Sequence, residues 1–351
     1  MTERPTIRSL AKIAGVSNAT ISLALRNHPR IRASERERIQ RIAAEAGYQT
    51  NALLSYLTAQ MRMNNTSYQS TLGLLCVSEE SKELKTVSTF RDWISSCREG
   101  AKQLGYGMDQ FVLCDEKLPP MRLVKILEAR GIRGLLIIGP FPNNELPADL
   151  QPVWERWTSV VLGIRPINPA LAFVANDQFS TAARAMRELL QLGYRRPGLC
   201  IHPDVDDLVE NRFLGGFLVE QSHLCRKDRI SPFSYQPSRQ EQFQAWVRRS
   251  RPDVILTLHP EVKKWIEHMG MNIPRDIGLV HLDKTAELKS WAGMQQNNQH
   301  IGRAAVDMLV GQLHRNEAGV PQVQRCTFIS GIWNEGSTIC RQGIAPVCAS
   351  K

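Results

Sequence analysis

What the chain lacks narrows it first. No apolar run approaches the roughly 18 residues that cross a bilayer, and the opening residues carry arginines and polar side chains where a secretory leader would hold an apolar core. A cytoplasmic protein without a membrane partner is the expectation. Closely spaced cysteine pairs are missing too: no two of the eight thiols lie closer than eight positions, so reduced and mostly buried cysteines are expected. There is no glycine-rich dinucleotide or phosphate loop, no GxSxG elbow and no HExxH helix, and the eight histidines lack ligand spacing. These absences argue against an enzyme, and no cofactor or metal is expected. His259 and His281 both fall near strand ends and could meet in space, but two ligands fall short of a zinc site.

What is present is an ordinary globular composition of 351 residues, 42% hydrophobic and 22% charged, with a mean hydropathy of -0.27. That length holds two or three domains. The formal charge is +10, and residues 1 to 62 contribute +6 of it through Lys12 and nine arginines against four glutamates. The remainder of the chain is therefore nearly neutral for its size. A small basic module on a neutral body is the charge pattern of a phosphate-binding head.

Within that module Thr6 can cap a helix from Ile7 to Ala14, which Gly15, Val16 and Ser17 interrupt. Ser17 then caps a second helix to about Arg26. Leu10, Ala14, Val16, Ile21 and Leu25 are the apolar positions of the pair and meet around the turn. A third helix is expected from Ser34, with Ser34 and Glu37 as a capping box, Ile39, Ile42, Ala43 and Ala46 on one face, and Gly47 at its end. Three short helices sharing one core form a helix-turn-helix, whose second helix enters the major groove.

The match Thr6-Ile7-x-x-Leu10-Ala11-x-x-Ala14-Gly15-Val16-Ser17-x-x-Thr20-Ile21-Ser22-x-x-Leu25, followed by Asn27, Pro29, Arg30 and Gly47-Tyr48, resembles the lac repressor and galactose repressor family of bacterial transcription regulators. The resemblance implies base reading by Asn18, Ala19 and Leu23, with Ser17, Thr20 and Ser22 placed for phosphates. Thr6, Arg8 and Asn27 complete the DNA-binding candidates. Asn18 can pair bidentately with adenine, whereas Ala19 and Leu23 offer apolar contact only, for example to a thymine methyl. The family often has arginine where Leu23 stands, so an altered half-site is expected; the alternative is that Leu23 is a plain core leucine. Residues 51 to 60 match the family's hinge helix, and Leu57 matches the leucine that it wedges into the minor groove. Thr50, Leu54 and Ser55 depart from the usual pattern there. An ordinary linker with Leu57 docked on the body is the other reading.

Beyond the polar stretch 64 to 70, strand-like runs (Leu72 to Val77, Met108 to Leu113, Leu135 to Ile138, Val160 to Leu162, Leu199 to Ile201, Val254 to Leu258, Leu279 to Leu282) alternate with helical ones. The helical segments are near Trp93 to Leu104, Met121 to Arg130, Ser180 to Leu192, Glu241 to Arg249, Val262 to Met269 and Ile301 to Arg315. Such alternation predicts parallel sheets covered by helices, with ligands at the carboxyl ends of the strands. The family resemblance continues through Gly131 to Ile137, Leu189 to Arg196 and Ile301 to Ala305. The fold class expected is thus a small all-α helix-turn-helix head plus an α/β body of two doubly wound parallel-sheet subdomains, like the periplasmic binding proteins. The expected divisions are 1–50 for the head, 51–63 for the hinge, 64–175 with 299–331 for one subdomain, and 176–298 with 332–351 for the other.

The same resemblance implies that Asp283 and Gln296 bind an effector in the body cleft, with Arg212 as the cleft arginine and His259 standing where the family has asparagine. Bland alternatives are a helix cap for Asp283, a surface arginine for Arg212 and a strand-end histidine for His259. The expected protein is a homodimeric regulator, most simply a repressor, that binds near-palindromic operator DNA and answers to a small-molecule effector, a sugar or related metabolite. The alternative is a small-molecule binding protein without operator control. Residues 322 to 351 lack the leucine heptads that would favour a tetramer.

Overall fold

The computed structural model describes residues 6–25, 30–46, 48, 70–77, 88–113, 119–139 and 141–343. Asn27, Leu57 and the expected hinge lie outside the described residues. Among the described residues no helix is long and apolar enough to cross a membrane.

The head consists of α1 (Ile7–Ala14), α2 (Asn18–Leu25) and α3 (Ala33–Glu45). Leu10, Ala11, Ala14, Ile21, Ala24, Ile39 and Ala43 form its buried core. The third helix departs from expectation at its start. It starts at Ala33 with Arg32 in the cap position and no side-chain cap, so Ser34 sits inside the first turn and cannot close a box with Glu37. Glu35 is used instead, paired with Arg38 at 2.6 Å. At the other end α3 stops at Glu45, with Ala46 in the capping position.

The body contains two six-stranded sheets. The first runs in the order β11-β5-β4-β3-β1-β2, comprising β1 (Ser70–Cys76), β2 (Tyr106–Val112), β3 (Gly134–Ile138), β4 (Thr158–Leu162), β5 (Ala172–Asn176) and β11 (Cys326–Ile329), all parallel. Its helices include α4 (Ser88–Gln103), α5 (Pro120–Ala129), α6 (Gln151–Trp154) and α12 (Asn298–His314). Side-chain alternation divides the core between the two faces: Leu135 and Ile137 join one cluster, Leu136 and Ile138 the other.

The second sheet is ordered β12-β10-β9-β8-β6-β7, from β6 (Pro197–Ile201), β7 (Phe233–Ser234), β8 (Val254–Thr257), β9 (Gly278–His281), β10 (Ala292–Gln295) and β12 (Ile332–Asn334). Only β12 is antiparallel, paired with β10 at one edge. It carries α7 (Gln178–Gln191), α8 (Pro203–Leu208), α9 (Arg212–Gln221), α10 (Gln240–Ser250) and α11 (Glu261–Glu267). The chain passes between the sheets three times: after β5, after β10, and between β11 and β12. Strands β6 to β9 thus point their carboxyl ends toward the region where these crossovers lie.

Candidate functional sites on the head and in the cleft

On the head, the starts of α1 and α2 are each fixed by a hydroxyl. The Ser9 amide donates to Thr6 Oγ1 (3.1 Å) while the Thr6 amide donates to Ser9 Oγ (2.7 Å), a reciprocal cap. The Thr20 amide donates to Ser17 Oγ at 3.1 Å, so the expected second cap is formed. Between them Gly15 lies at φ 68°, a left-handed conformation that glycine adopts without penalty, and its amide closes the end of α1 onto Ala11. Arg38 reaches from α3 to donate to the Ala14 carbonyl at 2.8 Å. Gln40 does the same for the Ala24 carbonyl at 3.2 Å, so α3 holds the ends of both other helices.

That frame leaves one face polar and open. Arg8, Lys12, Ser17, Asn18 and Ala19 are exposed, with Thr20 and Ser22 half-buried. Thr6, Arg8, Lys12, Gly15 and Asn18 line a shallow groove across the turn. Leu23 is half-buried and, unlike Leu25, takes no part in the head's core. Lys12 was not singled out by sequence reasoning; its position one helical turn after Arg8 was the available signal.

The cleft is built at the carboxyl ends of the second sheet. His202 follows β6, Tyr235 follows β7, His259 follows β8, and His281 with Asp283 ends β9. The His202 amide donates to His259 Nε2 at 3.0 Å, which places the imidazole proton on Nδ1. The His259 ring stacks on Tyr235 with centroids 3.7 Å apart and planes 5° apart, and Tyr235 stacks in turn on Trp265. Burial, assisted by His202 and His281, pushes His259 down to about 4; burial alone drives His281 down to about 4 against two backbone hydrogen bonds. Both imidazoles are neutral at pH 7.

Asp283 behaves in the opposite sense. Burial raises its carboxyl to about 6, helped by Asp92 on α4 of the first sheet's half. Its Oδ1 is shielded from solvent and has no hydrogen-bond partner, which is costly for a carboxylate. Gln296, by contrast, is already used: its Nε2 donates to the Leu282 carbonyl at 3.0 Å, and its backbone carbonyl accepts from Asn176 Nδ2 at 2.6 Å. It ties the second crossover to both halves.

Arg212 opens α9. Its guanidinium lies 4.3 Å from the centroid of Phe328 on β11 and pairs with Glu210 at 2.6 Å. Glu210 also receives Arg165 from the first half at 3.2 Å, so one carboxylate serves two arginines. Asn144 adds a further link, donating to the Leu208 carbonyl at 3.0 Å. Gly163, Arg165, Phe173, Gln178, Arg212 and Phe328 border a cavity of about 10 Å³, far below the usual small-molecule site. The α9 start is held by Asp206, whose oxygens accept from the Phe213 and Leu214 amides, each at 3.0 Å. Further along, Gly216 lets α9 approach α7 so closely that a Cβ there would lie 2.2 Å from the Phe179 carbonyl oxygen.

The resemblance pointed to Arg212, His259, Asp283 and Gln296, whereas Arg165, Glu210, Phe328, Asp92, His202 and Tyr235, which the fold brings beside them, were not among the candidates. Each of these follows an element end or comes from the opposite half, and no local motif marks it. His259 and His281 do approach each other, yet no group of three or more metal-ligating side chains occurs among the described residues.

Comparison with known proteins agrees with this geometry. Residues 6–51 match the family of bacterial regulatory proteins, lacI family, and residues 186–331 match the periplasmic binding protein-like domain. The HTH-type transcriptional repressor CytR of Escherichia coli (strain K12) is 22% identical over 334 residues, covering 90% of this chain and 91% of that protein. Among solved structures, the transcriptional regulator CelR in complex with cellobiose superposes with a TM-score of 0.58 at 17% identity, over 95% of this chain and all of the other. The lac repressor dimer bound to operator and the anti-inducer ONPF gives 0.57 at 18% identity, over 96% of this chain and all of that one. With a helix-turn-helix head that presents its second helix and a two-sheet body joined by three crossovers, the chain joins a lacI-family regulatory head to a periplasmic-binding-protein-like body and is a DNA-binding regulator of transcription.

Proposed function

We propose that the protein is a cytoplasmic, homodimeric repressor whose hold on a near-palindromic operator is loosened by a small molecule bound between its two sheets. A sugar or related metabolite is the class favoured by the relatives, one of which was solved with cellobiose. The observation that carries the effector reading is Asp283: a carboxylate oxygen shielded from water and left without a donor suits a ligand hydroxyl or amine. On the head, exposed Asn18 and Ala19 and half-buried Leu23 are assigned to bases, and Thr6, Arg8, Ser17, Thr20, Ser22 and Asn27 to the backbone. Leu57 is assigned to the minor groove within a hinge at 51–63. The body is divided into 64–175 with 299–331 and 176–298 with 332–351.

The mechanism is linkage. A ligand that prefers a body geometry in which the two hinges cannot pair weakens operator binding, and operator weakens ligand binding by the same factor. Two heads on one dimer read half-sites roughly one helical turn apart. Selection of bound sequences from random duplex is expected to return such a palindrome, with affinity that falls steeply with salt; recovery of no palindrome at low salt overturns the regulator reading. A thermal-shift screen of sugars, sugar acids and purines is expected to yield a hit that Asp283→Ala weakens at least tenfold, as loss of a hydrogen bond to a charged group of about 1.5–3 kcal/mol implies. A hit unaffected by that substitution removes Asp283 from the site.

A further inference from the structure

The near neutrality of the body conceals a polarised surface. At the amino ends of β6 and β8, opposite the cleft, three segments are drawn together by one side chain. Arg196 donates to the carbonyls of Lys227 (2.6 Å), Ser250 (2.6 Å) and Arg251 (3.2 Å), and lies 3.4 Å from Asp228. Its backbone and that of Arg195 are fastened from below by the Asp253 carboxylate, which accepts both amides. The fork therefore fixes the positions of three chain segments whose exposed side chains are almost all cationic.

Arg226, Lys227, Arg229, Arg248, Arg249 and Arg251 are each exposed, and none of them has an ion-pair partner among the described residues. The two acids of these segments are already committed, Asp228 to Arg196 and Asp253 to the two amides. Cations at the end of α10 complement its dipole, which accounts for one or two of the six but not for Arg226, Lys227 and Arg229 on a separate segment. Unbalanced positive charges held together by the fold repel one another, and an external anion relieves that cost.

The charge pattern also selects the kind of partner. Protein interfaces centre on apolar and aromatic side chains with charges at the rim. None of the large exposed apolar residues belongs to these three segments. Five of the six cations are arginine, whose planar fork fits phosphate bidentately, although Arg229 already donates to the Leu224 (3.0 Å) and Ser222 (2.6 Å) carbonyls. A duplex presents one phosphate about every 1.7 Å of axis, so an arginine-rich face without an apolar centre suits a phosphodiester backbone. From these observations we infer that the outer end of the second subdomain is a second, sequence-independent DNA-binding surface, able to hold a duplex other than the one occupied by the heads.

The test uses the full chain. Beads bearing the palindrome recovered by selection are saturated with protein, washed, and offered a fluorescent random-sequence duplex about 40 bp long at about 50 mM salt. Wild type is expected to capture the second duplex. The variant R226Q/R248Q/R249Q/R251Q is expected to lose capture at least tenfold with unchanged affinity for the first duplex, and to lower the log–log salt slope for the second by about 3.6. The corresponding four-lysine variant keeps the charges and is expected to retain most of the capture. No capture by wild type, equal capture by the glutamine variant, or equal loss in the lysine variant overturns the inference. So does capture of polyglutamate in place of DNA, which assigns the surface to an acidic protein.

Discussion

The head and the cleft are two binding regions made in opposite ways. The caps and the turn that shape the reading face of the head are local: Thr6 with Ser9, Ser17 with Thr20, Gly15 closing on Ala11. The cleft draws its groups from four strand ends, two helix starts and both halves of the body, with Arg165, Glu210 and Phe328 separated by tens to more than a hundred residues. A locally encoded site is written in consecutive residues, and a folded-together site is written in topology. The first can therefore be read by spacing, while the second emerges only after the strands are ordered.

Three measurements would break or sharpen that contrast. The largest effect is expected from Ile21→Ala, because Ile21 is fully buried in a core of only seven residues. A cost of about 2–5 kcal/mol is comparable to the whole stability of so small a unit. Operator binding is expected to vanish in a mobility-shift assay while the thermal shift of the body by its ligand stays intact; loss of both would mean that head and cleft fold as one.

The second is pH. His259 and His281 are held at about 4, so below about pH 6.5 the unfolded chain binds protons that the folded body refuses. Their contribution is complete above pH 6.5 and lost as pH falls toward 4, by up to about 3 kcal/mol for buried His281 and less for half-exposed His259. Asp283, raised to about 6, acts in the reverse direction: its ionisation costs stability above that pH and the cost is relieved by acid. Denaturant melts from pH 7 to 4.5 are expected to show a shallower acid loss in His281→Gln than in wild type. Equal acid loss in the two would show that this imidazole is not held neutral.

The smallest effect concerns a single exposed residue. Asn18→Ala is expected to cost about 1–3 kcal/mol at one base pair and to relax the selected sequence there alone. A uniform loss across sequences would move Asn18 from bases to backbone.

Most strands and helices of the body were legible as apolar runs, since Leu135 to Ile138 and Val160 to Leu162 lie in the middle of a parallel sheet and are buried on both faces. Elements that were not legible have a common cause. Ala172–Asn176 follows a proline-rich loop with no helix before it, β10 is four residues long with Gly293 inside it, and α9 carries two glycines and takes its cap from Asp206, six residues upstream. Pro203–Leu208 reads as an acidic loop until His202 is seen to cap it. In the cleft, Arg212, His259, Asp283 and Gln296 were identified through resemblance, yet their present partners differ: Arg212 is engaged by Glu210 and His259 by Tyr235. Composition also averaged away the second basic surface, because its arginines are distributed over segments that only the Arg196 hydrogen bonds bring together.

The shared carboxylate of Glu210 has a mechanical consequence. Arg165 approaches it from one half of the body and Arg212 from the other, so the two halves cannot separate at that point without stripping the anion of one of its counterions. Both pairs are partly open to solvent, and each resists separation by no more than about 1 kcal/mol, an amount that dissolved ions erode. The seam between the two halves of the body is therefore held in part by charge, and its hold at this point weakens as the ionic strength around it rises.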